Sequence, residues 1–153
     1  MNKNHVTNTF EKLKYLPKVF TSISFLSLFV LIYLLFLGRK NESFRVEYFL
    51  EFMPHFYQHV SNLAISFLFY SGVGYFWLLM GVPFRMVIFL GLAIVVLNLV
   101  YELFIPILNT QDIMDAYFGV VGIVLGFLFL LLVRLFGLRA NLPKMDDHSS
   151  EVN

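Results

Sequence analysis

An all-α fold, a bundle of four transmembrane helices, is predicted by three observations on this sequence. Apolar residues fill 59% of its 153 positions while charged residues fill 14%, a balance no ordinary soluble domain carries. Those apolar residues gather in four runs, each near the ~20 residues that cross a hydrocarbon core. The connections between the last three runs are so short that neighbouring helices must run antiparallel.

The first run, Val19–Leu37, holds no charge and is closed by Gly38, Arg39 and Lys40. A basic tail with Lys3, Lys12, Lys14 and Lys18 precedes it, as in a signal peptide. The run is too long for a signal core and no small-x-small cleavage pattern follows, so it reads as a retained helix. In the loop 38–59, Phe44, Tyr48, Phe52 and Phe56 recur every four residues, with Glu42, Glu47 and Glu51 off that line. Two readings fit: a helix lying in the membrane interface and bent near Pro54, or the extended start of the second span.

The second span is expected at about 60–80 and the third at about 84–105, joined by the turn Gly81-Val82-Pro83. Pro106 stops the third, the loop 107–111 follows, and the fourth span is expected at about 116–136. Residues 1–18 then form a basic tail, 19–137 the membrane domain, and 138–153 a polar, disordered tail. Nineteen Phe and eight Tyr spread over every run, as lipid-facing bulk and interfacial anchors do. There is no cysteine, which removes disulfides, thiolate metal sites and thiol nucleophiles.

Charge placement predicts orientation. Lys3, Lys12, Lys14, Lys18, Arg85, Arg134, Arg139 and Lys144 fall on one side, against Arg39, Lys40 and Arg45 on the other. By the positive-inside rule both termini are cytoplasmic, and the protein is a multi-pass protein of the plasma membrane. No basic stripe is interleaved with solvent-facing aromatics, so nucleic acid is not a partner; the lipid bilayer is.

Polar groups stand out against this background. Asp112, Asp115, Gly119, Gly122 and Gly126 are spaced three and four apart, so on one helix they share a face. Gly122-x-x-x-Gly126 predicts close helix packing, with Gly119 on the same line. The third span, one short loop away, is the expected neighbour, and its stripe Gly91, Val95, Asn98 and Glu102 would bring Glu102 towards Asp112 or Asp115. Glu102 is the sharpest single residue, because a charge at mid-bilayer costs roughly 2.5 to 3.5 kcal/mol and less near the edge. Its donors would come from Asn98, Tyr101, Asn109, His55 or His59. Asn62, Ser66, Tyr70 and Gly74 form a further stripe on the second span. The candidate functional cluster is therefore Glu102, Asp112, Asp115, Asn109, Asn98 and Asn62, on the outer side. His55 and His59 are four apart, the spacing many zinc sites use, with a third ligand to come from Glu102, Asp112 or Asp115. Interfacial histidine is common without metal, so neither metal nor cofactor is expected. No nucleophilic triad can be assembled.

The Asn at the start of the second span, in SNLAISFLFYSGVGYF, and the block running from Glu102 through Asp112 and Asp115 to Gly122 and Gly126 resemble the VanZ-like family. The likeness covers about residues 20–137. It departs from the family pattern at Ile105, where Gln is usual, at Asn109, the nearest match to a loop Arg, and at Gly119, where an Asn is usual. The resemblance implies a bacterial plasma-membrane protein acting near the cell envelope; the family takes its name from a protein linked to teicoplanin resistance, and it implies no particular reaction. The leading expectation is binding or positioning of an envelope component or partner protein through the acidic cluster. The alternative is a membrane enzyme acting on lipid-linked or cell-wall substrates, with Glu102 as acid or base and His55 or His59 assisting. A small transporter would need a polar stripe through the whole thickness, and the first span offers only Ser22, Ser24 and Ser27 near its inner end.

Overall fold

The computed structural model describes residues 13–104 and 112–141, with the backbone alone at 102–104. Five helices account for the bulk of these residues: α1 (Val19–Leu37), α2 (Glu47–Phe52), α3 (Phe56–Met80), α4 (Phe84–Phe104) and α5 (Ile113–Leu132). Four of them are long and apolar enough to span a membrane, with mean hydropathies of 2.4, 1.7, 2.3 and 2.7 for α1, α3, α4 and α5.

The helices take unequal shares of the core. The most extensive interface is α3 on α5, and α3 buries residues around much of its circumference, from Tyr57 to Leu79. By contrast, α4 buries a narrow line, Phe84, Val87, Gly91 and Ile94, and α1 buries only Thr21 and Ile32. Thus α3 and α5 form a central pair, flanked by two helices whose remaining faces are the apolar surface a bilayer would cover.

Element ends follow local chemistry. Asp112 is the N-cap of α5, with extended backbone, and its Oδ1 accepts from the Met114 N–H at 2.9 Å. It therefore stands outside the helical line on which the three-and-four spacing placed it, while Asp115 lies in the first turn, where the helix dipole favours negative charge. At the other end of the bundle, Gly81 closes α3 at φ +79°, a left-handed position, and passes the chain through Pro83 into α4 as an antiparallel neighbour. The aromatic-rich loop resolves into a separate six-residue helix, α2, broken from α3 at Met53 and Pro54. Phe44, Tyr48 and Phe52 remain exposed, and stacking of Phe49 on Phe56, with centroids 4.6 Å apart, holds α2 to the bundle. Separation from α3 favours the first of the two readings of this loop over an extended second span. The second span nonetheless starts at Phe56, earlier than its hydropathy run, which brings His59 into the helix.

The tail boundaries also move. Tyr15–Pro17 (β1) pairs antiparallel with Leu138–Ala140 (β2), so Leu138 to Asn141 are ordered where a disordered tail was expected. Flanking the first and last spans on the same side brings these segments together. Asn141 extends the pairing, donating from its backbone N–H to the Lys14 carbonyl and from Nδ2 to the Leu13 carbonyl. Between α5 and β2 the helix ends in a wider turn, Val133–Gly137, and the Gly137 carbonyl accepts from the Lys18 N–H at 2.8 Å and Thr21 Oγ1 at 3.0 Å. Thr21→Val keeps the shape and removes the second donor; the expected cost is about 1 kcal/mol, measurable as a lower unfolding midpoint in detergent.

Candidate functional site

The end of the bundle opposite the β1–β2 pair carries the ends of α1 and α4 and the starts of α3 and α5. His59, in the first turns of α3, is 8% exposed. Its Nδ1 lies 2.9 Å from Asp115 Oδ1 and 3.6 Å from Asp112 Oδ2, both on the α5 side. An ionised carboxylate only accepts, so the short contact is an Nδ1–H donated to Asp115. Phe118, one turn further along α5, sets its ring 5.4 Å from the imidazole, and Phe56 packs on Phe118 in turn. The pair therefore has aromatic walls on one side and an opening at Asp112, whose side chain is 40% exposed.

Deeper between α3, α4 and α5 lies a second polar contact. Asn98 Nδ2 donates to Ser66 Oγ at 3.0 Å, and a Cβ at Gly119 would stand 2.6 Å from that Nδ2. The glycine at 119 thus makes room for the Asn98 carboxamide. Deeper still, Tyr70 is almost wholly buried and donates its hydroxyl to the Val87 carbonyl at 3.1 Å. Its ring fills the space left by two glycines, since a Cβ at Gly91 or at Gly126 would lie within 3.0 Å of it. One stripe of α3 thus makes polar contacts with α5 and α4 in turn: His59, Ser66, Tyr70.

The glycines of α5 are close-packed, Gly119 against the expected third span but Gly122 and Gly126 against the second. A Cβ at Gly122 would collide with the Leu63 carbonyl oxygen on α3 and stand a tight 3.1 Å from the Phe67 amide nitrogen. At Gly122 and Gly126 the neighbour is the second span, whereas Gly119 meets Asn98 of the third. Loop length makes α4 adjacent to α5 without deciding which face of α5 it meets.

Among the other candidates, Asn62 is half-buried, and its side chain makes no hydrogen bond among the described residues. Glu102 lies in α4 one turn beyond Asn98, with its side chain outside the described residues, and Asn109 lies outside them altogether. His55 is the exposed N-cap of α3, with φ −96° and ψ 11°, so it does not continue the helical face of His59. The two carboxylates of α5 take the place that its spacing had offered to His55.

In the sequence Arg39 and Arg45 register only as charge that sets orientation. Arg39 Nη1 donates to Ser61 Oγ, which is buried on α3. Arg45 Nε donates to the Gly38 carbonyl at 2.9 Å, and its Nη1 pairs with Glu42 at 2.8 Å while its guanidinium faces the Tyr57 ring. The Tyr57 hydroxyl in turn accepts from the Val46 N–H at 2.7 Å. Together they line a cavity of about 290 Å³ with Leu50, Pro54 and Gln58. The signal was the Gly38-Arg39 pair closing an uncharged span, where an arginine folds back onto the next helix.

Four apolar helices with polar side chains collected at one end define a multi-pass membrane protein. Comparison with family models, with curated proteins and with solved structures finds no match to this chain.

Proposed function

We propose that this is a VanZ-like protein of the bacterial plasma membrane, with both termini cytoplasmic, whose polar outer end binds or positions a cell-envelope component. The observation that carries the reading is the joining of α3 to α5 by His59, Asp115 and Asp112 at the same end as the arginine-lined cavity. An ionisable cluster at the end of a membrane bundle is a costly arrangement, and such groups mark sites more often than packing. Acidic and basic groups there present complementary handles to a ligand carrying both charges or several hydroxyls. The excess of Lys and Arg at the opposite end supports placing this end outside.

The absence of native cysteine makes orientation simple to test. A membrane-impermeant maleimide applied to intact cells is expected to label the Ser43→Cys variant and to leave Val82→Cys unlabelled until the cells are opened. The reverse pattern would overturn the reading. In cells lacking the chromosomal copy, Asp115→Asn and Arg39→Ala are each expected to lose the envelope phenotype, scored as teicoplanin susceptibility, at unchanged protein levels. Full complementation by both variants would sink the role of this end.

A further inference from the structure

We propose that His59, Asp112 and Asp115 bind a divalent transition-metal ion, zinc being the reference ion, with one coordination position left open. One ligand atom from each residue lies within 4.8 Å of the other two. With metal–ligand bonds of about 2.0–2.2 Å, tetrahedral donor atoms stand roughly 3.3–3.6 Å apart. The separation of His59 Nδ1 from Asp112, 3.6 Å, lies at that range and that from Asp115, 2.9 Å, below it, while the two carboxylates stand within 4.8 Å of one another. Binding therefore requires His59 and Asp115 to move apart, the two carboxylates to settle at the same tetrahedral separation, and loss of the imidazole Nδ1 proton.

Charge points the same way. Among the described residues neither aspartate has a Lys or Arg within ion-pair distance, and the one side chain that reaches both is His59. Even with a protonated imidazole, two ionised carboxylates leave the group with net negative charge beside the aromatic walls of Phe118 and Phe56. A divalent ion held by neutral imidazole and two carboxylates makes the group neutral, which suits a low-dielectric bundle end. The donor set, one imidazole with two carboxylates, favours zinc and related ions over magnesium or calcium, which prefer all-oxygen shells.

The ligands are also held. The Met114 N–H fixes one Asp112 oxygen and leaves the other towards His59, while Asp115 is set by the first helical turn and His59 is buried between the helices. Asp112 lies at the opening, so the fourth position faces outward and can accept water or a ligand oxygen.

The test uses the full chain, purified in detergent on an affinity tag without histidine and read by equilibrium dialysis against zinc. The expected result is one zinc per chain, weakened at least about tenfold by Asp112→Asn and by His59→Gln. Asparagine is as good an N-cap as aspartate, so Asp112→Asn keeps the start of α5 and separates ligation from folding. Zinc is also expected to raise the thermal midpoint of the wild-type protein and to leave that of Asp112→Asn nearly unchanged. No bound zinc, binding by either variant as tight as by the wild-type protein, or magnesium binding as tight as zinc would each overturn the proposal. Because the readout is binding to purified protein, it is independent of whether the outer end serves the cell envelope.

Discussion

Gly122→Ala is expected to lower the stability of the bundle by several kcal/mol, and Gly122→Leu to leave no folded protein in detergent. A Cβ at this position meets backbone, the Leu63 carbonyl and the Phe67 amide nitrogen, and backbone cannot turn aside as a side-chain tip can. The central helices α3 and α5 must then separate along the interface that holds most of the core. Overpacking typically costs about 1–3 kcal/mol where side chains can adjust, which sets a floor here. Gly72→Ala is the internal control. A Cβ there would come no closer than 3.9 Å to the Phe29 ring, an ordinary contact, so the usual helix preference for Ala over Gly, about 1 kcal/mol, is left to act. Thermal midpoints in one detergent should therefore move in opposite directions for the two substitutions. A stabilising Gly122→Ala would mean that α3 and α5 do not approach as described.

Tyr70→Ala is expected to cost about 3–5 kcal/mol, the range for emptying a buried aromatic position. The ring fills the gaps at Gly91 on α4 and at Gly126 on α5 together, so the cavity cannot close without moving both helices. Tyr70→Phe separates packing from hydrogen bonding. It keeps the ring and removes the donation to Val87, for an expected loss of about 0.6 kcal/mol, typical of such bonds between membrane helices. Unfolding in graded SDS would resolve the two. Similar losses for both would show that the hydroxyl, not the ring, carries this contact.

The four spans, their antiparallel order and the turn at Gly81 were legible because length, hydropathy and Gly or Pro punctuation encode them directly. The packing role of Gly122 and Gly126 was legible as well, since only close approach explains small residues at that spacing. Their partner was not. A helix that is apolar nearly all round has no preferred face by hydrophobicity, so contact between α5 and α3 rests on shape, the fit of Gly122 against the turn Leu63–Phe67. The site was half legible for a similar reason. Asp112 and Asp115 announced themselves as charges, but His59 reaches Asp115 across 56 positions of sequence, and its own spacing paired it with His55, with the aspartates only as a third ligand. Gly119 has a physical reason in the space that Asn98 occupies.

The β1–β2 pair has a consequence for biosynthesis. Its two strands come from opposite ends of the helical domain: β1 leaves the ribosome before any span, and β2 only after the fourth. The pairing of Lys14 with Asn141 thus cannot form until every helix has been delivered to the bilayer. The small sheet acts as a late latch, closing on a chain whose insertion is finished and leaving a chain stalled at three helices open.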